Sequence, residues 1–209
     1  MLSLRQWRFA QELNESNLSR IYQHIMDHEC AIITAFRANP FDRSKSVDPT
    51  PLPYSSQEHN ALSANKLANR DLKAVLLASG FGVTAVDGSF IENYKTTRAI
   101  EVREDSLFVA NLEDAPDFFG TIIKLGKKFG QDSVLLIPVG GKEVYLYGTN
   151  RSEFPGLDQK VKVGEWKGGK EAEFMTRVKN RPFTFETYQG LSRLERMAAK
   201  AIQKGLKLD

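Results

Sequence analysis

The chain has 209 residues, 29 Lys+Arg against 26 Asp+Glu, a formal net charge of +3 and a pI near 8.9, a balance too mild to argue nucleic-acid binding from bulk charge. One cysteine, Cys30, excludes an intramolecular disulfide and a thiolate zinc cluster, and reads as a reducing compartment. No apolar run approaches the roughly 18 residues of a spanning helix, and the opening MLSLRQWRFAQELN lacks an apolar h-region and a cleavage site, so the expectation is a cytoplasmic protein with no membrane partner.

Residues 1–15 read as an N-terminal arm in which Leu4, Trp7, Phe9 and Leu13 either pack on the body or dock on a partner. Ser16 caps a helix whose Leu18, Ile21, Tyr22, Ile25 and Met26 share one face and which ends near 27–29. CAIITAF (30–36) is short, apolar and β-branched, a buried strand. Residues 37–56 hold four prolines among Ser, Asp and Asn turn formers, a long loop that is either functional or a solvated insertion. A long helix follows from Ser56 to Gly80. Asn65 and Asn69 stack on one of its faces, where asparagine costs helix propensity.

FGVTAV, Asp87–Gly88 and SFIENY read as a tight hairpin, because Asp-Gly supplies the positive φ of a two-residue turn. SLFVANL (106–112) is a strand, with a short strand at 99–102 before it. A helix starts at Asp114 or Ala115–Pro116 and ends at 126–130 among Lys127 and Lys128. SVLLIPV (133–139) and EVYLYGT (143–149) pair across Gly140–Gly141. The last third is irregular: a short helix at 169–179, a strand at 182–188, and a C-terminal basic helix (189–209) behind a Ser192–Glu195 capping box. Helices mixed with hairpins predict an α+β domain over 16–188, a mixed, largely antiparallel sheet flanked by helices.

No complete catalytic motif surfaces. There is no G-x-S-x-G elbow, and Cys30 in an apolar strand reads as a core thiol. His24 and His28 share a helix face but lack the inner Glu of a zincin. Gly80–Phe81–Gly82 follows a helix, the wrong context for a dinucleotide fingerprint. Glu92, Glu104 and Asp132 at strand ends form an alternative divalent-metal set; otherwise no cofactor is expected. Buried polar residues must find partners, so a ligand site is expected from Glu58, Asn65, Asn69, Glu92, Tyr94, Ser106 and Gln131.

AIITAFR, Glu58-x-Asn60 with Asn65 and Asn69, GFG-x-x-x-VDGSFIENY, EDSLFV, LGKKFGQDSVL from Leu125 and Tyr147-Gly-Thr149 together make the chain resemble a family of small, functionally uncharacterised phage-encoded proteins. The set is also distantly similar to a bacterial domain of unknown function. The resemblance spans about 30–185 and brings no activity with it. It implies an accessory role in the host cytoplasm, countering a host defence component by binding a host protein or a phosphorylated, nucleotide-like small molecule. Two alternatives stand beside this reading. One is a metal-dependent phosphoester hydrolase. The other is a virion- or DNA-associated protein using the basic C-terminal third, where Arg193, Arg196 and Lys200 lie.

Overall fold

A computed structural model describes residues 20–48, 50–54, 56, 58–92, 100–164, 176–178 and 193–206, with the backbone alone at 87–92, 100–104, 164, 176–178, 193–196, 198–199 and 206. Helix α1 covers 20–27. Strand β1 is Cys30–Ile33, α2 is Ala61–Ala78, β2 is Gly82–Glu92 and β3 is Ile100–Ala110. Then come α3 (Phe118–Phe129), β4 (Ser133–Ile137), β5 (Val144–Gly148), β6 (Lys160–Gly164), β7 (Thr176–Val178) and α4 (Arg193–Leu206).

The strands form one seven-stranded sheet in the order β6-β5-β4-β1-β3-β2-β7, and every pairing is antiparallel. With the flanking helices this is the expected α+β architecture. Strand alternation divides the core in two. Ala31, Ile33, Leu107, Val109, Val134 and Leu136 point to the face covered by α2 and α3, with Leu72, Val75, Leu76, Ile122, Leu125 and Phe129 above them. Cys30, Phe108, Ala110, Leu135 and Ile137 point to the other face, which Ile21 and Ile25 of α1 cover. Each fully buried large side chain contributes about 1.5–3 kcal/mol of transfer free energy.

Several boundaries differ from expectation. Asp87 and Gly88 do not turn: they sit inside β2, opposite Asp105 and Glu104 of β3 and opposite Arg177 and Thr176 of β7. The Asp-Gly signal is local, whereas a ladder continuous from Gly82↔Ala110 to Glu92↔Ile100 satisfies the backbone along the whole run. Residues 100–102, expected in a separate short strand, are the first part of β3. Helix α2 starts later than Ser56, with Asn60 as N-cap accepting from the Ser63 N–H at 2.8 Å. Helix α3 starts at Phe118 behind Asp117, past the proline, and ends on Gly130 in the left-handed region at φ 70°. Residues 176–178, expected in a helix, form β7. The arm 1–15, the strand at 182–188 and the Ser192 cap lie outside the described residues. No helix among the described residues is long and apolar enough to cross a membrane.

Candidate functional site

Beyond Ile33 the chain leaves the β1 ladder and runs on as 34–37, between the start of β4 and the middle of β3. Side-chain amides replace the missing strand neighbours. Asn69 accepts from the Ala35 N–H at 3.1 Å and donates to the Asp105 carbonyl at 3.0 Å. Asn65 accepts from the Arg37 N–H at 3.1 Å and donates back to the Arg37 carbonyl at 2.8 Å. Gln131 donates to the Phe36 carbonyl at 3.4 Å, and the Thr34 hydroxyl donates to Asp105 at 2.8 Å. The helical repeat puts Asn65 and Asn69 one turn apart, about 6 Å, close to the two-residue repeat of a strand. This match lets a helix face serve as a strand edge. Three predicted site residues, Asn65, Asn69 and Gln131, therefore meet around one segment and bond its backbone.

The others are distributed differently. Ser106 is buried in β3 opposite Val86. Glu58 is exposed just ahead of α2. Tyr94 lies outside the described residues, and Glu92 and Glu104 are placed by backbone only. Glu104 faces Gly88, four residues along β2 from Glu92, or about 13 Å of ladder at roughly 3.3 Å per residue. Asp132 accepts from the Asn150 amide at 2.5 Å and lies 3.9 Å from Arg37. Among the described residues no group of three His, Cys, Asp or Glu is arranged to hold a metal. The His24 and His28 rings are 6.0 Å apart, and His28 faces Asp114 at 3.5 Å. Burial pushes the Cys30 thiol well above its ordinary pKa, helped by neighbouring Glu29, which removes it as a nucleophile near neutrality.

The loop at 37–56 is tied down at several points. Ser46, 2% exposed, bridges Asn150 after β5, and Arg151 donates to the carbonyls of Lys45 at 3.0 Å and Ser46 at 3.2 Å. Arg43 donates from Nη2 to the carbonyls of Asp48 at 2.6 Å and Lys128 at 2.7 Å, so its cation sits at the carbonyl end of α3. Lys128 pairs with Asp48 at 3.0 Å. Burial opposes ionisation of Asp48, but hydrogen bonds from Thr50 and Lys128 outweigh it and hold the carboxyl below its usual range.

Between this loop, α2 and the end of α3 lies a cavity of about 220 Å³, lined among others by Arg37, Phe41, Arg43, Leu52, Tyr54 and Phe129. Tyr54 donates its hydroxyl to Asp71, a buried carboxylate also held by Arg70 at 2.9 Å. Burial first, then this bond, raises the Tyr54 pKa. Nη1 of Arg37, Nη1 and Nε of Arg43 and Oγ of Ser46, a residue outside the cavity lining, are buried without a hydrogen-bond partner. The three groups converge on Gly130: a Cβ there would stand 2.6 Å from Ser46 Oγ and 2.7 Å from each Nη1. Burial, and then repulsion from Arg37, lowers the Arg43 pKa. Sequence reasoning passed over Arg37, Arg43 and Ser46 because a proline-rich loop reads equally as functional or as a solvated insertion, and nothing in it singles these residues out. The one available signal was two arginines six positions apart, beside apolar Phe36 and Phe41.

The S-Adenosylmethionine lyase family matches residues 55–190, from the approach to α2 through β7 and beyond. No curated protein and no solved structure matches the chain. The match overturns the expectation of a binding-only accessory protein, because the family is named for a reaction. It equally displaces the phosphoester hydrolase and the DNA-associated protein, since neither is a carbon–sulfur lyase. The expectation that the chain belongs to a known protein family holds in part: the family that matches has an activity in its name. The matched segment covers well over half of the 209 residues, and the chain belongs to the S-adenosylmethionine lyase family.

Proposed function

We propose that the protein is a lyase that cleaves S-adenosylmethionine. The observation that carries this reading is the family match over 55–190, which takes in α2, the β2–β3 pair, α3, β4 and β5. The chemistry suits what the chain offers. The substrate is a sulfonium whose neutral thioether is already a good leaving group. In a lyase reaction one carbon–sulfur bond breaks, its electron pair stays on sulfur, and no water or oxidant enters. The carbon fragment balances its charge by releasing a proton or by closing on an oxygen of its own. Such a reaction needs no enzyme nucleophile, in keeping with a buried, high-pKa Cys30 and the lack of a serine elbow.

The enzyme's task is then orientation and partial desolvation. Positive charge on sulfur disappears as the bond breaks, so surroundings drier than water favour the transition state over the bound ion. The cavity between α2, α3 and the 37–56 loop supplies aromatic wall from Phe41, Tyr54 and Phe129. Aromatic faces attract a weakly hydrated cation. At about 220 Å³ the cavity is below the usual 300–1,000 Å³ of a whole-ligand pocket, so it suits one arm of the substrate. The resemblance to phage-encoded proteins supplies a setting, the removal of a methyl donor from the host cell. The test is incubation of purified protein with S-adenosylmethionine, followed by liquid chromatography. Loss of substrate with equimolar appearance of a neutral thioether is expected. Substrate left intact at stoichiometric enzyme, or conversion to S-adenosylhomocysteine by methyl transfer, would overturn it.

A further inference from the structure

We propose that Arg37, Arg43 and Ser46, gathered over Gly130, form an oxyanion site that receives the carboxylate of a small ligand at the polar end of the cavity. Two like charges are held together there in a largely buried place, and three of their N–H-bearing atoms have no acceptor. Arg37 has only 16% of its side chain exposed, so bulk water does not screen it well. Buried cations are ordinarily paired or bonded, because removing an unpartnered charge from water is strongly unfavourable.

The fold offers partial compensation only. The α3 carbonyl end takes Nη2 of Arg43, Asp132 stands 3.9 Å from Arg37, and Asp48 is already engaged by Lys128 and Thr50. A helix terminus supplies about half a unit charge, and Asp42, whose carboxylate also feels Arg37, is exposed to solvent. Ser46 is the independent observation. Its hydroxyl is almost wholly buried and makes no bond, yet it stands among the guanidinium groups. A hydroxyl and two guanidinium edges converging on a glycine surface are the donor set that recognises a carboxylate. Both arginines line the cavity and Ser46 does not, so a ligand entering from it meets the guanidinium groups first.

Assigning this carboxylate to the amino-acid arm of S-adenosylmethionine rests on the lyase reading; the oxyanion site itself does not. Two unreactive probes separate the cases. S-adenosylhomocysteine carries the carboxylate and 5′-methylthioadenosine lacks it, and sodium acetate supplies the carboxylate alone. Affinities are measured by calorimetry, and melting temperature in acetate, for the full chain and for Arg37→Gln, Arg43→Gln and Ser46→Ala. Ser46→Ala removes no side-chain bond the fold uses, so it remains informative if an arginine variant fails to fold.

The expected result is S-adenosylhomocysteine binding about tenfold or more tighter than 5′-methylthioadenosine, the preference shrinking about tenfold in the arginine variants and severalfold in Ser46→Ala. Equal nucleoside affinities with an acetate-induced, Arg- and Ser46-dependent rise in melting temperature would uphold the oxyanion site and detach it from the substrate. A carboxylate preference indifferent to all three substitutions, or no response to any carboxylate, would overturn the proposal.

Discussion

Replacing Asn69 with alanine tests whether the asparagine face of α2 acts as a strand edge. The substitution removes two hydrogen bonds, from the Ala35 N–H at 3.1 Å and to the Asp105 carbonyl at 3.0 Å. The two losses are unequal. Asp105 keeps the Thr34 hydroxyl as a donor at 2.8 Å, so its carbonyl stays partnered. Ala35 is 2% exposed and its N–H meets no other acceptor among the described residues, so it is orphaned. An orphaned buried donor costs about 1–3 kcal/mol, and the second bond about 0.5–1.5 kcal/mol. Alanine returns roughly 0.5 kcal/mol of helix propensity. The net expectation is a loss of about 1–4 kcal/mol. Asn60→Ala, at the exposed N-cap of the same helix, should cost about 1 kcal/mol. The assay is urea unfolding with unchanged slope, so that a shifted midpoint reports stability alone. If Asn69→Ala unfolds within about 0.5 kcal/mol of the parent, the amide does not hold the 34–37 segment and the reasoning fails.

Two further outcomes follow from the loop and the α3 terminus. Gly130→Ala combines left-handed strain of about 1–2 kcal/mol with a methyl 2.6–2.7 Å from three polar atoms, while Gly140→Ala, at φ 81° with nothing within 4 Å, carries the strain alone. Thermal melting should place Gly130→Ala clearly below Gly140→Ala, and equal values would contradict the convergence on Gly130. Asp48 has a folded pKa below its unfolded value, so its contribution to stability is present above the unfolded pKa of about 3.9 and is lost as pH falls through the folded one. Lys128→Met should flatten the acid limb of a stability-versus-pH curve, and an unchanged limb would refute the assignment.

The sheet was legible because its signal is periodic. β1, β4 and β5 are short apolar runs whose alternate residues cover two faces, and such patterns survive tertiary context. The 82–92 strand misled because Asp87–Gly88 carries a strong local turn signal, while pairing with β3 on one side and β7 on the other is non-local. Asn65 and Asn69 were rightly singled out as costly on a helix, but sequence cannot say whether a buried amide meets backbone or ligand. Their backbone partners lie 28 to 36 residues away. Arg37, Arg43 and Ser46 escaped notice because their burial depends on Lys128, Gly130 and Asn150, all from the other half of the site. The reaction itself was not readable, since a sulfonium lyase requires none of the nucleophile or metal motifs by which catalysis is usually recognised.

Mass balance in the first turnovers tests the central claim most directly. S-adenosylmethionine and purified protein are mixed, acid-quenched within the first turnovers, and both fragments are weighed by mass spectrometry. The lyase account predicts a thioether and a carbon fragment in equal amounts whose masses sum to that of the substrate. A pair heavier by one water would identify a hydrolase, and an intact substrate would leave the family match without its reaction; either result contradicts the account.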